Sequence, residues 1–396
     1  MLTSIALIIL LGLFIGSIFT KLKLPSLVGM ILTGIILGPH MLNLLDSSII
    51  GISSELRQIA LVIILTRAGL ALDIKDLKKV GRPAILMCFI PATLEILGFI
   101  ILGPKLLNLP ILDSAILGTV IAAVSPAVIV PRMLKLIEEG YGTNKSIPQL
   151  ILAGASVDDI FVIVLFTSFT SIATTGSNFS ISSIIEIPIS IIIGIILGIL
   201  TGIVLVYLFK KIHIRDSIKI LIILSVSFLF ITVEDLLKGF IPISGLLAVM
   251  SLGATILKIY SKLARRISNK YSKLWVGAEV FLFVLVGASV DIKYAMNSGI
   301  ITIILILGAL VFRIFGVLLS LIKTEMNFKE RLFSAIGYMP KATVQAAIGA
   351  LPLSMGLASG EIILTVAVLS IIITAPLGAT LIDNTYKKLL SISKNK

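Results

Sequence analysis

Two adjacent carboxylates lie in the middle of an apolar stretch of this chain. Asp158 and Asp159 follow an apolar run at 147–153 and precede another at 161–166. A helix that begins at Pro148 would place Asp159 eleven residues in, roughly 16 Å from its start at about 1.5 Å per residue. That depth is half of a hydrocarbon core about 30 Å thick. Ionisable groups at the bilayer centre are costly and mark ion or proton pathways, so the fold must shield and use this pair.

The composition indicates a membrane protein with many spans. The 396 residues are 58% hydrophobic and only 13% charged, a composition unlike that of soluble domains. Apolar runs of about 18 to 25 residues, separated by short polar or Pro/Gly breaks, predict an all-α polytopic membrane protein with about thirteen transmembrane helices. The expected limits are 2–20, 24–42, 58–73, 83–103, 113–136, 147–172, 184–209, 217–235, 240–258, 272–290, 299–322, 331–353 and 361–382.

The distribution of basic residues predicts the orientation of the chain. Of the 33 Lys and Arg residues, 26 fall in one set of alternate loops and the C-terminus, and four fall in the opposite loops. The positive-inside rule therefore places the N-terminus outside and the C-terminus in the cytoplasm. The same placement explains the net charge of +13, so we expect the lipid bilayer and no nucleic acid as a partner.

Two pairs of motifs predict an inverted internal repeat. AGLALDIK at 68–75 resembles VGASVDIK at 286–293, and KLPSLVGMILTGIILG at 23–38 resembles FIPISGLLAVMSLG at 240–253. In the expected topology the first Asp-Ile-Lys motif ends inside and the second ends outside. Inverted repeats are typical of secondary transporters, whose binding site lies near the midplane at the repeat interface.

The repeat also predicts a buried ion pair. Glu95 lies 22 residues after Asp73, and Arg313 lies 22 residues after Asp291, so the two occupy equivalent places in the expected fourth and eleventh spans. Groups related by a pseudo-two-fold axis in the membrane plane can meet near it, where an acid and a base neutralise each other. The alternative is that each side chain reaches the membrane surface or faces a separate partner.

Each copy carries a proline inside the next expected span. Pro126 stands in AAVSPAVIVP and Pro340 in GYMPKATVQAAIG. Proline removes a backbone donor, and broken backbone at membrane depth survives only where it lines a cavity or is buried in protein. We expect Ser125 at the first break to offer an oxygen ligand. Lys341 at the second would either offset the negative ends of the half-helices or pair with Asp158.

The aspartates suit exchange of a proton for an alkali cation. Neighbours on a helix point about 100° apart, so one aspartate can line a cavity while the other pairs with a positive side chain. Carboxylate, hydroxyl and carbonyl oxygens are hard ligands that suit an alkali cation. A proton and Na⁺ compete for the same oxygens, which suffices for exchange if the site faces each side in turn. The matching stretch of the last expected span, AVLSIIITAPLG at 367–378, has no acid, so we expect one site per chain.

Four motifs together resemble a known family. RAGLALD, AVSPAVIVP, GASVDDI and PKATVQAAIG are similar to those of the monovalent cation:proton antiporters with paired aspartates, closest to the NHA-type sodium/proton exchangers. The resemblance implies the sodium/proton antiporter fold, with two crossed discontinuous helices, elevator-like alternating access and a homodimer. It implies that Asp159 carries the ion and proton, with Asp158 its neighbour and Ser125 in the unwound part of a helix.

The resemblance also implies a division of the chain. Residues 1–80 and 184–298 would form dimerisation or scaffold helices, residues 81–173 and 299–384 the ion-transporting core, and residues 385–396 a cytoplasmic tail. Many paired-aspartate relatives have a lysine where this chain has Arg313, whereas NHA-type relatives share the arginine and the intramembrane glutamate. Arginine does not deprotonate in proteins, which puts in doubt any mechanism where this group releases a proton.

We therefore expect an antiporter, not an enzyme, in the cell membrane that exchanges Na⁺, and by the same chemistry Li⁺, for H⁺. The site would hold Na⁺ at Asp159 and Asp158 and would need no cofactor and no catalytic residue. A K⁺/H⁺ antiporter and a gated monovalent cation channel of the same fold remain open alternatives. An intramembrane aspartyl protease needs its acids on different helices, and a sodium-coupled symporter needs a more polar pocket.

Overall fold

The computed structural model describes residues 1–71, 81–175, 181–212, 214–237, 241 and 243–392, and these residues are predominantly helical. In chain order the helices are α1 (Leu2–Lys21), α2 (Ser26–Leu37), α3 (Ser47–Gly51), α4 (Ser53–Ala71), α5 (Arg82–Leu107), α6 (Ile111–Ala122), α7 (Pro126–Glu139), α8 (Ile147–Thr175), α9 (Ile181–Lys211), α10 (Asp216–Leu237), α11 (Gly245–Ile259), α12 (Ser261–Ala288), α13 (Ile292–Ser320), α14 (Phe328–Gly337), α15 (Thr343–Ile348), α16 (Leu351–Ser354) and α17 (Gly360–Leu389). The all-α prediction is confirmed.

Every expected span overlaps a helix or a set of helical segments, but some of these helices are shorter than a membrane-spanning helix. Nine helical segments in the described ranges are long and apolar enough to cross a membrane, and one of them, Ile111–Glu139, runs through both α6 and α7. The segments Ser26–Leu37, Gly245–Ile259 and Thr343–Ser354 are apolar but shorter. Helix α4 carries Glu55, Arg57 and Arg67 among its 19 residues. The count of thirteen crossings therefore stays a prediction.

The two discontinuous helices are present where the prolines predicted them. The first interruption separates α6, which ends at Ala122, from α7, which begins at Pro126. The second separates α14, which ends at Gly337, from α15, which begins at Thr343. A proline at the start of a helix needs no hydrogen-bond acceptor, so Pro126 both ends the first half-helix and suits the start of the next.

The described residues fall into two compact units. Unit 1 comprises those within Met1–Ser53, Ile74–Val162 and Phe283–Lys396, and unit 2 those within Ser54–Asp73 and Ile163–Leu282. In unit 2, α9 and α10 both pack against α11. All the predicted site residues belong to unit 1. The proposed scaffold and core roles of the chain segments stay predictions.

Helices α5 and α13 of unit 1 pack closely, and this packing positions the predicted ion pair. A Cβ on Gly316 of α13 would lie 2.7 Å from the Cα of Pro91 on α5, so only glycine allows the backbones to approach so closely. Each helix carries one of the charged pair, Glu95 on α5 and Arg313 on α13. The two helices are the equivalent spans of the predicted repeat, although Asp73, from which the first spacing was counted, lies outside the described residues.

The end of the last helix packs onto the loop that precedes the aspartate helix α8. Helix α17 continues to Leu389, seven residues beyond the expected limit at 382, because Tyr386 and Leu390 are buried there. The backbone N–H of Gly142 donates to the carbonyl of Ser391 at 2.8 Å. Residues 385–392 of the predicted cytoplasmic tail thus pack within unit 1, and residues 393–396 lie outside the described part.

Candidate functional site

The two helix breaks meet inside unit 1. The backbone N–H of Ser125 at the first break donates to the carbonyl of Pro340 at the second, over 2.9 Å. In an unbroken helix that N–H would bond to the carbonyl of Ile121, four residues earlier. The contact therefore joins the unwound segments directly, and it frees carbonyl groups at the end of α6.

Side chains from other helices satisfy these freed carbonyls. The amide of Gln345 donates from Nε2 to the carbonyls of Ile121 and Ala123, at 2.9 and 2.8 Å. Arg313 donates from Nη1 to the carbonyl of Ala122, whose helical partner would have been Pro126, which has no N–H. Buried carbonyls need such donors, so Gln345 and Arg313 stabilise the break.

Asp158 is fixed through one of its two carboxylate oxygens. Oδ2 accepts hydrogen bonds from the backbone N–H of Val124 at 2.9 Å and from Nη2 of Arg313 at 2.8 Å. The other oxygen, Oδ1, is buried and accepts no hydrogen bond from any described residue. The carboxylate is held at the first break with one oxygen left for a ligand.

Asp159 differs from its neighbour in its surroundings. Its side chain is partly exposed, whereas Asp158 is fully buried. Oδ1 of Asp159 is buried and has no hydrogen-bond partner among the residues described, and the same holds for the hydroxyl of Ser125. The structure therefore places Asp158 at the break that carries Ser125, with Asp159 next to it on α8, and each of the three residues has one buried oxygen without a described partner.

Glu95, Arg313 and Lys341 form one buried charge cluster. Oε2 of Glu95 accepts from Nη1 of Arg313 at 2.7 Å and from Nζ of Lys341 at 2.6 Å, and all three side chains are at most 1% exposed. Arg313 also bridges Glu95 to Asp158 at 2.8 Å. Of the two alternatives for Lys341, the pair with Asp158 is not formed: Lys341 pairs with Glu95, and Arg313 is the positive partner of Asp158.

A tyrosine at the second break covers the arginine. The ring centroid of Tyr338 lies 5.3 Å from the guanidinium carbon of Arg313, and the Tyr338 carbonyl accepts from Nε of Arg313 at 2.6 Å. A Cβ on Gly154, one turn before Asp158, would lie 1.9 Å from the Tyr338 hydroxyl. Glycine at this position is therefore what lets the tyrosine reach the aspartate helix.

Comparison with known proteins identifies the family. The sequence model described as "Sodium/hydrogen exchanger, transmembrane" matches residues 5–386. This chain belongs to the sodium/hydrogen exchanger family. It is 33% identical to the protein named "Sodium/hydrogen exchanger 9B2" of Mus musculus, over 96% of this chain and 72% of the relative. It is 34% identical to the Homo sapiens protein of that name, over 93% of this chain and 70% of the relative.

A solved structure shows the same fold. The sodium proton antiporter MjNhaP1 from Methanocaldococcus jannaschii matches with a TM-score of 0.83 and 24% identity, over 98% of both chains. The predicted antiporter fold is thereby confirmed. The family consists of transporters, so the chain is an integral multi-pass membrane antiporter for cation and proton exchange and not an enzyme.

Two residues at the site were not predicted from the sequence. Both Gln345 and Tyr338 lie in the motif GYMPKATVQAAIG, but the sequence interpretation gives neither of them a role. A buried glutamine next to a proline break is a usable signal, because its amide can donate to two freed carbonyls. The sequence gives no comparable signal for Tyr338, since its partners Gly154 and Arg313 lie far away along the chain.

Proposed function

We propose that this exchanger moves Na⁺, and also Li⁺, against H⁺ at a single site formed by Asp159, Asp158 and Ser125. The observation that carries the proposal is the set of buried oxygens without a described partner, Oδ1 of each aspartate and the hydroxyl of Ser125. Hard oxygens of this kind suit alkali cations. The relatives described above are named as sodium/hydrogen exchangers and as a sodium proton antiporter, which supports the choice of sodium.

The charges around the site support the exchange of one proton for one cation. When all five groups are ionised, Asp158, Asp159 and Glu95 supply three negative charges, and Arg313 and Lys341 supply two positive ones. The buried cluster then lacks one positive charge. Because uncompensated charge is costly in a low dielectric, either one H⁺ or one Na⁺ completes it. We therefore propose electroneutral exchange with a stoichiometry of one to one.

Asp159 is the group that we propose to exchange the ions. Asp158 is committed to Arg313 and to the backbone of Val124, whereas Asp159 is partly exposed. Access to Asp159 from each side in turn would complete the transport cycle. Glu95, Arg313 and Lys341 would compensate charge and hold the breaks at Pro126 and Pro340 together.

The setting of the protein is part of the same proposal. We propose a homodimer in the cell membrane, with the N-terminus outside and the C-terminus in the cytoplasm, as the distribution of basic residues indicates. Transported Na⁺ or Li⁺ and H⁺ would be its ligands, without a further cofactor.

The test is a pH-sensitive dye inside proteoliposomes to which Na⁺, Li⁺ or K⁺ is added, with the membrane potential clamped. We expect Na⁺ and Li⁺ to drive proton movement at a rate that is insensitive to the clamped potential. Asp159→Asn should abolish this movement, while Glu279→Gln, which alters a partly buried acid in unit 2, should preserve it.

Each contrary result has a distinct meaning. Proton movement that persists in Asp159→Asn would refute the assignment of the carrier. A response to K⁺ alone would favour a K⁺/H⁺ antiporter, and a current without proton coupling would favour a channel. A strong dependence of the rate on the clamped potential would refute the stoichiometry.

A further inference from the structure

Gln345 holds two carbonyl groups at the first helix break, where Asp158 and Ser125 also lie. It is fully buried in α15, and its Nε2 donates to the carbonyls of Ile121 and Ala123, more than 200 residues away along the chain. Two carbonyl acceptors require the NH₂ end of the amide, which fixes its orientation. The other end, Oε1, is buried and has no hydrogen-bond partner in the described ranges.

Three other backbone groups of the first break have different partners. The carbonyl of Ala122 accepts from Arg313, the N–H of Val124 donates to Asp158, and the N–H of Ser125 donates to Pro340. Gln345 is therefore the donor that keeps the carbonyls of Ile121 and Ala123 occupied. Without it, both would be buried oxygens free to turn toward another positive partner.

We propose that Gln345 is a positioning residue that sets the cation selectivity of the site. By occupying the two carbonyls, it limits the oxygens that can approach a cation held by Asp158, Asp159 and Ser125. The number and field strength of the carbonyl dipoles around an ion site affect its preference for Na⁺ or K⁺. Fewer available oxygens favour the smaller ions Li⁺ and Na⁺, whereas released carbonyls would favour the larger K⁺.

This inference rests on the proposed function and deepens it. Gln345 would act through the backbone of residues 121–123, not as the carrier of the ion. Its loss should therefore change which cation is preferred, while the exchange of protons for the cation continues.

The variant that tests the proposal is Gln345→Met, which keeps the volume of the side chain but removes the amide. Gln345→Asn keeps an amide on a shorter stem and serves as the conservative variant. Gln149→Met is the matched control, because Gln149 lies in the first turn of α8 and makes no described hydrogen bond to residues 121–125.

The readout is the apparent KM for Na⁺, Li⁺ and K⁺, measured separately from the maximal rate in proteoliposomes. In Gln345→Met we expect the ratio of the KM for K⁺ to that for Na⁺ to fall about tenfold, the effect of about one net hydrogen bond. Gln345→Asn should give a smaller fall in the same direction. Gln149→Met should leave the ratio unchanged.

The outcomes separate this inference from the proposed function. Absence of cation-driven proton movement in the unmodified chain would refute the proposed function itself. Exchange with unchanged KM ratios in both Gln345 variants would overturn only the role of Gln345. Loss of folded protein in both variants, seen by gel filtration in detergent, would also overturn it, because Gln345 would then serve stability and not selectivity.

Discussion

Glu95 holds two positive side chains with one oxygen, and its removal should weaken cation binding. Glu95→Gln removes one negative charge, so the five-group cluster would be neutral without any bound H⁺ or Na⁺. The site would no longer need a cation to balance its charge. We expect the apparent affinity for Na⁺ to fall, and we expect Lys341→Met in the Glu95→Gln background to restore it, because the double variant returns the cluster to a deficit of one positive charge.

The distances set the size of this effect. Nζ of Lys341 lies 2.6 Å from Oε2 of Glu95, which corresponds to about 6 kcal/mol at an effective dielectric constant of about 20. Loss of one partner from a buried pair costs about 3–5 kcal/mol after desolvation is included. Part of this cost is the same with and without bound Na⁺, and that part does not change the affinity. We expect the remainder, about 2.7 kcal/mol, to weaken Na⁺ binding about 100-fold in Glu95→Gln.

The assay is a double-mutant cycle on Na⁺ binding. The apparent dissociation constant is obtained from Na⁺-dependent thermal stabilisation in detergent and checked by the KM in proteoliposomes. Lys145→Met is the control, because Lys145 forms a comparable ion pair with Glu330 at 2.8 Å, outside the site. A double variant that binds Na⁺ as weakly as Glu95→Gln, or weakened Na⁺ binding in Lys341→Met alone, would refute the charge-balance reasoning.

Two further predictions concern stability. Gly154→Ala should lower the free energy of unfolding by about 1–3 kcal/mol through overpacking, since the new methyl group would meet the Tyr338 hydroxyl. Tyr338→Phe in the Gly154→Ala background should restore the lost stability. A double variant that unfolds at the same temperature as Gly154→Ala would contradict the contact. Hydrogen bonds from the side chain and backbone of Ser48 lower the pKa of Asp46 to about 2, below about 3.9 in the unfolded chain. The stability that this carboxylate adds should therefore be present above about pH 4 and lost as the pH falls toward about 2. An Asp46→Asn variant whose melting temperature follows the same pH profile as the unmodified chain would contradict this contribution of Asp46.

The sequence predicted those features that depend on local pattern or on the repeat. Pro126 and Pro340 predicted the two interrupted helices because a proline in the interior of a helix removes a backbone hydrogen bond. The spacing of Glu95 and Arg313 suggested that the two would meet, and the structure places them 2.7 Å apart. Their role in transport stays a prediction, as do the roles of Asp158 and Asp159.

The partners chosen within the site could not be predicted in the same way. By sequence alone Lys341 could face either Asp158 or a half-helix end, and its contact with Glu95 depends on how α5 packs against the second break. The role of Gln345 depends on which carbonyls stay free once Ser125 bonds to Pro340. Such choices follow from the crossing of two segments distant in sequence, and no local pattern encodes them.

Arg313 joins the two helix breaks, and in the proposed mechanism it leaves the ion to the aspartates. Its guanidinium donates to the carbonyl of Ala122 at the first break and to that of Tyr338 at the second, and it also bonds to Glu95 and Asp158. One permanently charged group thus joins both breaks, and a fixed fork of donors suits this better than a lysine would. Because it does not release its proton, Arg313 can supply charge and geometry but no exchangeable proton. In the proposed mechanism, the exchange of H⁺ for a cation then falls to the aspartates beside it, and chiefly to Asp159.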